Sequence, residues 1–213
     1  MTTSKTHHCC KWRRRKEARP AEIIDAALDL FVANGFNATK LDEVARQAGV
    51  SKGTVYLYFN SKEDLFRAAV KQIIIPEVEK AEHRAEGFIG SQRELLEVLL
   101  FNWWEVVGKT RLAGIPKLMV SEAGNFPELA KFYLENVVSR ARNLLRRGIE
   151  KGIETGEFKS SDPVVTTRLL MAPLVFAAIW DNSLAVYDSE DYSRDEYVKQ
   201  HIKTFFDGIS NEQ

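Results

Sequence analysis

The chain has 213 residues, 45% of them hydrophobic, with 30 Lys/Arg against 30 Asp/Glu, so it is formally neutral at pH 7. That length suits one large domain, or a small one beside a larger one, and the apolar content is ample for a packed core. No apolar segment follows the basic N-terminus, which argues against a secretory signal.

Charge is unevenly spread. Residues 1–20 hold seven basic side chains (Lys5, Lys11, Arg13, Arg14, Arg15, Lys16, Arg19) against Glu17, a local +6. Residues 1–65 sum to +3, which leaves −3 for 66–213. A basic end on a neutral protein suits a head that faces nucleic acid on a body that does not stick to it. Residues 1–19 lack apolar periodicity and are expected to form a flexible basic arm, either solvated or laid along DNA phosphates or a minor groove. The two cysteines, Cys9 and Cys10, are adjacent, which points to a reducing, cytoplasmic setting and not to a disulfide fold. His7-His8-Cys9-Cys10 offers zinc and copper ligands, but four consecutive residues do not readily close a tetrahedral site. Neither metal nor cofactor is expected.

Next along the chain, residues 21–34 place Ile23, Ile24, Ala27, Leu28, Leu30 and Phe31 on one helical face, which Gly35 ends. Thr39 stands where an N-cap belongs, with Asp42 three residues on to return the bond. Leu41, Val44, Ala45 and Ala48 make one face of the helix that follows. Gly49 closes it, since glycine takes a left-handed backbone without penalty. Ser51 then caps a second short helix from 52 to about 58. Two helices joined by a short glycine turn are a helix-turn-helix, and the DNA-binding kind lays its second helix in the major groove. Lys52, Thr54, Tyr56 and Tyr58 are polar-tipped there, while Val55 and Phe59 look like anchors. Ser61 starts another helix with Asp64 reaching back, and Lys62 sits beside its free N–H groups as a phosphate clamp.

Residues 49–66, GVSKGTVYLYFNSKEDLF, resemble the signature of TetR-type transcriptional regulators, and the likeness covers about residues 20–66. It implies an all-α fold in which a three-helix DNA-binding domain, 20–65, follows the arm and precedes a larger helical effector-binding and dimerisation domain, 66–213. By position, Lys52, Gly53, Thr54, Tyr56 and Tyr58 fall where family members touch DNA, and Thr39 and Lys62 where they hold phosphates. Asp42 departs in charge from relatives that place a basic residue there. A carboxylate can accept from a cytosine amino group or cap the helix, and the cap is the favoured reading.

In the body, Leu65, Phe66, Ala69, Val70, Ile73 and Ile74 form a stripe that should kink near Pro76. This helix would join head to body. Ser91 starts a helix through Leu95, Leu96, Leu99, Trp103 and Val107. Asn125-Phe126-Pro127 starts the longest one, with Leu129, Tyr133, Val137, Ala141 and Leu144 as its stripe. Asp162-Pro163 caps the next, whose residues 169–180 are apolar all round yet short of the roughly twenty a bilayer needs, so no membrane is expected. The last helix, from about 193, shows Val198, Ile202, Phe205 and Ile209. An all-round apolar helix beside an amphipathic one predicts a homodimer contact over 163–187 and 193–209, in line with the resembling family. Paired helix-turn-helix units also need a dimer to read the two half-sites of a palindromic operator.

Trp103, Trp104, Met119, Phe126, Tyr133, Phe176 and Trp180 are candidates to line a pocket for a small apolar or aromatic effector, with Glu122, Asn102 or Asp181 as polar contacts. Taken singly, each aromatic reads as plain core. What groups them is the resemblance. An enzyme is not expected: none of the four histidines stands in a Glu-x-x-His pair, and nucleophile-elbow, Walker and dinucleotide motifs are missing. A helical scaffold would not explain a basic arm together with a polar reading helix. The sequence therefore predicts a dimeric, sequence-specific DNA-binding regulator, a repressor released by its effector, with an effector-responsive activator, or a helical bundle protein without specific DNA reading, as the alternatives.

Overall fold

The computed structural model describes the backbone of residues 6–190 and 192–211, and within those ranges the side chains from residue 19 onward. Regular structure among them is helical, apart from one isolated bridge between Phe158 and Ser210. The chain divides into two units, Met1–Gln72 and Ile73–Gln213.

The first unit contains α1 (Thr6–Asn34), α2 (Leu41–Gln47), α3 (Lys52–Tyr58) and α4 (Lys62–Ala69). Ile23, Ile24, Ala27, Leu28 and Phe31 are buried, as their single face requires. The helical backbone starts at Thr6, however, where the pattern suggested an irregular arm up to residue 19. Lysine, arginine, glutamate and alanine form helix readily without an apolar stripe, so missing periodicity reports missing burial and not missing helix. The arm's contacts and the His7–Cys10 cluster fall on side chains outside the described residues. Three phenylalanines complete the core: Phe31 and Phe36 have ring centroids 5.1 Å apart, and Phe66 meets them edge-on at 6.0 and 5.9 Å. They join the end of α1 to α4, residues far apart in sequence.

The helical run continues from α4 through a π turn, Val70–Ile74, into α5 (Ile75–Glu86). A π turn thus stands just before Pro76, where the sequence suggested a kink. Proline cannot donate to the preceding turn, and the wider π turn just before it absorbs the mismatch.

The second unit holds α5, α6 (Gln92–Trp103), a π turn Trp104–Gly108, a 3₁₀ turn Arg111–Ala113 and α7 (Gly114–Glu122). After these come α8 (Pro127–Tyr133), a π turn Leu134–Val138, α9 (Ser139–Glu154), α10 (Pro163–Asp181), a 3₁₀ turn Ala185–Tyr187 and α11 (Arg194–Ile209). The caps are local chemistry. Ser91 Oγ accepts from Glu94 N–H at 3.1 Å while Glu94 Oε2 accepts from Ser91 N–H at 2.9 Å, a reciprocal box. Asp162 Oδ1 accepts from Val164 N–H at 2.8 Å. Leu96, Leu100, Ile149, Phe158, Leu174 and Phe206 are the centre of the core.

In the π turn after α6, Lys109 N–H reaches back five residues to Trp104 O at 2.9 Å. That fold-back lays residue 108 on the indole, where a Cβ would come 2.1 Å from the ring, so the position must be glycine. Trp104 Nε1 donates to Asp195 Oδ1 at 2.9 Å, and Lys109 Nζ lies 2.9 Å from Asp195 Oδ2. The Lys109 bond, and then the indole N–H, hold the Asp195 carboxyl below its ordinary range.

Two expectations about the last helices need correcting. The apolar run 169–180 lies in a 19-residue helix, long and apolar enough to cross a membrane by length and composition. One face of it, with Thr166, Leu170, Leu174 and Ala177, is buried in the core, while Val165, Leu169 and Phe176 are 50, 61 and 57% exposed. On α11, Val198 and Ile202 are fully turned into the chain's own core and Phe205 packs partly against it, so the first two are not available to a second copy.

Candidate functional site

Local chemistry builds the reading helix. Gly49 has φ +65° with open space around a notional Cβ, so the turn needs glycine for its backbone angle alone. Ser51 Oγ accepts from Thr54 N–H at 3.2 Å and lies 2.8 Å from Thr54 Oγ1. Val55 and Phe59 anchor α3 inside, which leaves Lys52, Gly53 and Tyr56 exposed and Thr54 and Tyr58 half-buried. The nearest atom to a Cβ on Gly53 would be 3.9 Å away, so the protein's own packing does not demand glycine there. An exposed glycine lets a partner approach the backbone closely.

Asp42 is not a cap. Its Oδ1 lies 2.8 Å from Lys52 Nζ and its Oδ2 accepts from it at 3.0 Å. That hydrogen bond is the main reason the Lys52 pKa is raised. The N-cap position of α2 belongs to Lys40, whose N–H donates to Glu43 Oε2 at 3.3 Å. Thr39, expected as both cap and phosphate contact, is 1% exposed, and its hydroxyl donates to Gly35 O and Leu30 O at 2.8 and 3.1 Å. Lys62, expected as a phosphate clamp, donates to Phe36 O and Asn37 O, both at 2.9 Å, with its ammonium 5.0 Å from the Phe36 ring centroid. Both residues brace the α1–α2 turn.

The second unit contains an apolar cavity of about 110 Å³ that is partly open to solvent. Val78 and Ala81 of α5, Leu99 and Trp103 of α6, and Ile115 of α7 line it. Tyr133, Val137, Ala141 and Leu145 of the α8–α9 run, with Met171 of α10, close it. Of the aromatics expected here, only Trp103 and Tyr133 are present, with Asn102 as a polar neighbour. Burial pushes the Tyr133 phenol up, so it stays protonated, and its hydroxyl has no hydrogen-bond partner among the described residues.

The other candidates serve elsewhere. Trp104 belongs to the core, and Met119, Glu122 and Phe126 do not reach the cavity. Phe176 is on the outer face beside Trp180 at 5.8 Å, Trp180 Nε1 donates to Asp188 Oδ2 at 3.2 Å, and Asp181 pairs with Arg194 at 2.6 Å. The residues that sequence reasoning missed are apolar, apart from Glu77. Its signal was visible, since a carboxylate stands among Ile74, Val78 and Ala81 at helical spacing.

A capped, solvent-facing second helix of a helix-turn-helix, followed by an all-helical unit, is the arrangement of a DNA-binding regulator. The profile described as "Bacterial regulatory proteins, tetR family" matches residues 23–69, and that of the "AefR-like transcriptional repressor, C-terminal domain" matches 94–208. The chain belongs to the TetR family of transcriptional regulators. The fatty acid metabolism regulator protein of Bacillus subtilis is 27% identical over 163 residues, 74% of this chain and 80% of the relative. The transcriptional regulator FadR from Bacillus subtilis, solved in complex with stearoyl-CoA, has a TM-score of 0.72 at 22% identity and covers 89% of this chain and 98% of its own. A regulator from Saccharomonospora viridis in complex with choline has a TM-score of 0.77 at 21% identity, over 92% of this chain and 100% of its own. At these identities the two structures share the fold.

Proposed function

We propose that this protein is a homodimeric, sequence-specific repressor that leaves its operator when a small apolar effector fills the cavity of the second unit. The observation that carries the reading is that cavity, about 110 Å³ with almost wholly apolar walls, in a chain whose α3 presents Lys52, Gly53 and Tyr56 to solvent. Lys52, Thr54 and Tyr56 would choose the operator through base edges, at about 1–3 kcal/mol per good contact. The effector must favour a conformation in which the two reading helices no longer match half-sites about 34–36 Å apart. One with equal affinity for both conformations would change nothing.

The outward stripe of Val165, Leu169 and Phe176 supports the dimer, since exposed apolar faces of this kind mark contact sites. The stearoyl-CoA held by one structural neighbour makes long-chain acyl compounds the first effectors to test. Fluorescence anisotropy on an operator selected from random duplexes should show release by an acyl compound. Ala141→Trp, which fills the cavity, should leave operator binding intact but deaf to effector. If every stabilising ligand leaves operator affinity untouched, the allosteric part is wrong. Leu169→Glu should yield monomers in light scattering, and a stable wild-type monomer at micromolar concentration would sink the dimer.

A further inference from the structure

The helix-turn-helix itself is electrically neutral. Over residues 41–58, Arg46 and Lys52 stand against Asp42 and Glu43, so its two helices add no net attraction for phosphate. In a hairpin of this kind the first helix crosses the phosphate backbone, and the first residues of the second meet base edges. A carboxylate in the first turn of α2 and the lysine that opens α3 therefore belong to the DNA face, and here they are bonded to each other. Asp42 Oδ1 lies 2.8 Å from Lys52 Nζ, and Oδ2 accepts from it at 3.0 Å. The ammonium also stands 5.9 Å from the ring centroid of Tyr56, another exposed side chain of α3.

The fold has little need of this bond. The Lys52 and Asp42 side chains are 58 and 60% exposed, and an ion pair so placed adds little stability. Nor does α2 need Asp42 in order to start. Its first turn is closed by Glu43, whose Oε2 accepts from Lys40 N–H at 3.3 Å. An acid in a first turn gains from the helix dipole, but Glu43 supplies that as well.

What the bond does is occupy the lysine. A free ammonium on this face is drawn to any phosphate, whatever the sequence, because each such contact releases a counterion. To reach a phosphate, Lys52 must first leave its carboxylate, and Asp42 is then left facing the polyanion alone. A base pair differs. Its major-groove edge presents acceptors and an amino donor side by side, so it can take the ammonium and satisfy the carboxylate together.

We propose that Asp42 is a specificity-determining residue, which withholds Lys52 from the phosphates of unrelated DNA and yields it only to a base pair whose edge satisfies both groups. This rests on α3 being the reading helix and adds the device that keeps it from sticking elsewhere. The benefit lies in the ratio of affinities, since a regulator competes against about 10⁶–10⁹ non-specific sites in a genome.

The test uses the full-length protein with a labelled random duplex and with an operator selected from random duplexes, each titrated by anisotropy at several salt concentrations. Asp42→Asn should bind the random duplex about three- to tenfold tighter, with a log–log salt slope steeper by about one unit per subunit, because a phosphate contact is freed. Operator affinity should not rise in step, so the ratio falls. In a Lys52→Met background the same substitution should give no gain, since its effect runs through the ammonium. The thermal midpoint of Asp42→Asn should stay within about 1 °C of wild type, as for any exposed pair.

Unchanged binding of Asp42→Asn to the random duplex, where Lys52→Met still weakens the operator, would overturn the proposal and leave the reading helix standing. If Lys52→Met leaves both DNAs unaffected, α3 does not use this lysine, and the proposal falls together with that part of the reading. A gain that persists undiminished beside Lys52→Met, or one equal on operator and random duplex, would show that Asp42 only repels phosphate by its own charge, against the proposal. A lower thermal midpoint with no gain on DNA would mark the pair as a mere tie between α2 and α3, and the proposal is then wrong.

Discussion

The two units use the same helical vocabulary to opposite ends. The first keeps its chemistry outside. A compact three-phenylalanine core supports a reading helix on which Lys52, Gly53 and Tyr56 face solvent and Lys52 is paired with Asp42. The second turns its chemistry inward, with a cavity among Trp103, Tyr133 and aliphatic side chains. A surface that meets a regular polyanion can be specified by a few residues close in sequence. A cavity is a property of five or six elements at once.

Truncating a core phenylalanine in the first unit should separate the two most sharply. Phe66 is fully buried, and Phe66→Ala should cost about 3–5 kcal/mol. A unit of this size rarely has more than about 3–5 kcal/mol to lose. DNA binding should vanish while the fluorescence of Trp103, Trp104 and Trp180 still reports a folded second unit in denaturant titration. Simultaneous loss of both signals would show that the units do not fold separately.

Next in size, Lys52→Ala or Thr54→Ala should lower the ratio of operator to random-DNA affinity by about 1–3 kcal/mol with little change in salt slope. Equal losses on both DNAs would mean that α3 does not read bases. Lys62→Met tests whether that ammonium braces the turn or clamps phosphate. Loss of its two carbonyl bonds should destabilise the first unit by about 1–3 kcal/mol, seen as a lower thermal midpoint. A log–log salt slope that drops by about one unit at unchanged stability would restore the clamp.

The smallest effect is a pH dependence in the second unit. The Asp195 carboxyl has its pKa depressed from 3.8, so its stabilising contribution is present above that value and fades as pH falls through the lower native one. Asp195→Asn should therefore melt slightly earlier than wild type at pH 7, and the gap should close in acid. A gap independent of pH would mean that the carboxylate's charge plays no part.

The helix starts at Ser51, Ser61, Ser91 and Asp162 were legible because capping is a bond between neighbours in sequence. The same local logic misplaced the cap at Thr39, and it gave no hint of the partners that Lys62 has in the DNA-free protein. A lysine in a helix's first turn looks poised for phosphate until the carbonyls of Phe36 and Asn37, some twenty-five residues back, prove to be its partners. The cavity was the least legible feature, since aliphatic side chains around a void have the same periodicity as those around a filled core. Trp103 and Trp104 show the limit. Successive residues on a helix point about 100° apart, so one lines the cavity and the other sits in the core.

Two π turns, Trp104–Gly108 and Leu134–Val138, contribute Val106, Val107 and Val137 to the cavity wall. Each holds one residue more than the α turn it replaces. Deleting a single residue from either would let the α ladder close and rotate the side chains beyond by about 100°, presenting a different face to the interior while the helix axis stays in place. Single-codon insertions and deletions at these two points would thus change which side chains face the cavity without rebuilding the scaffold.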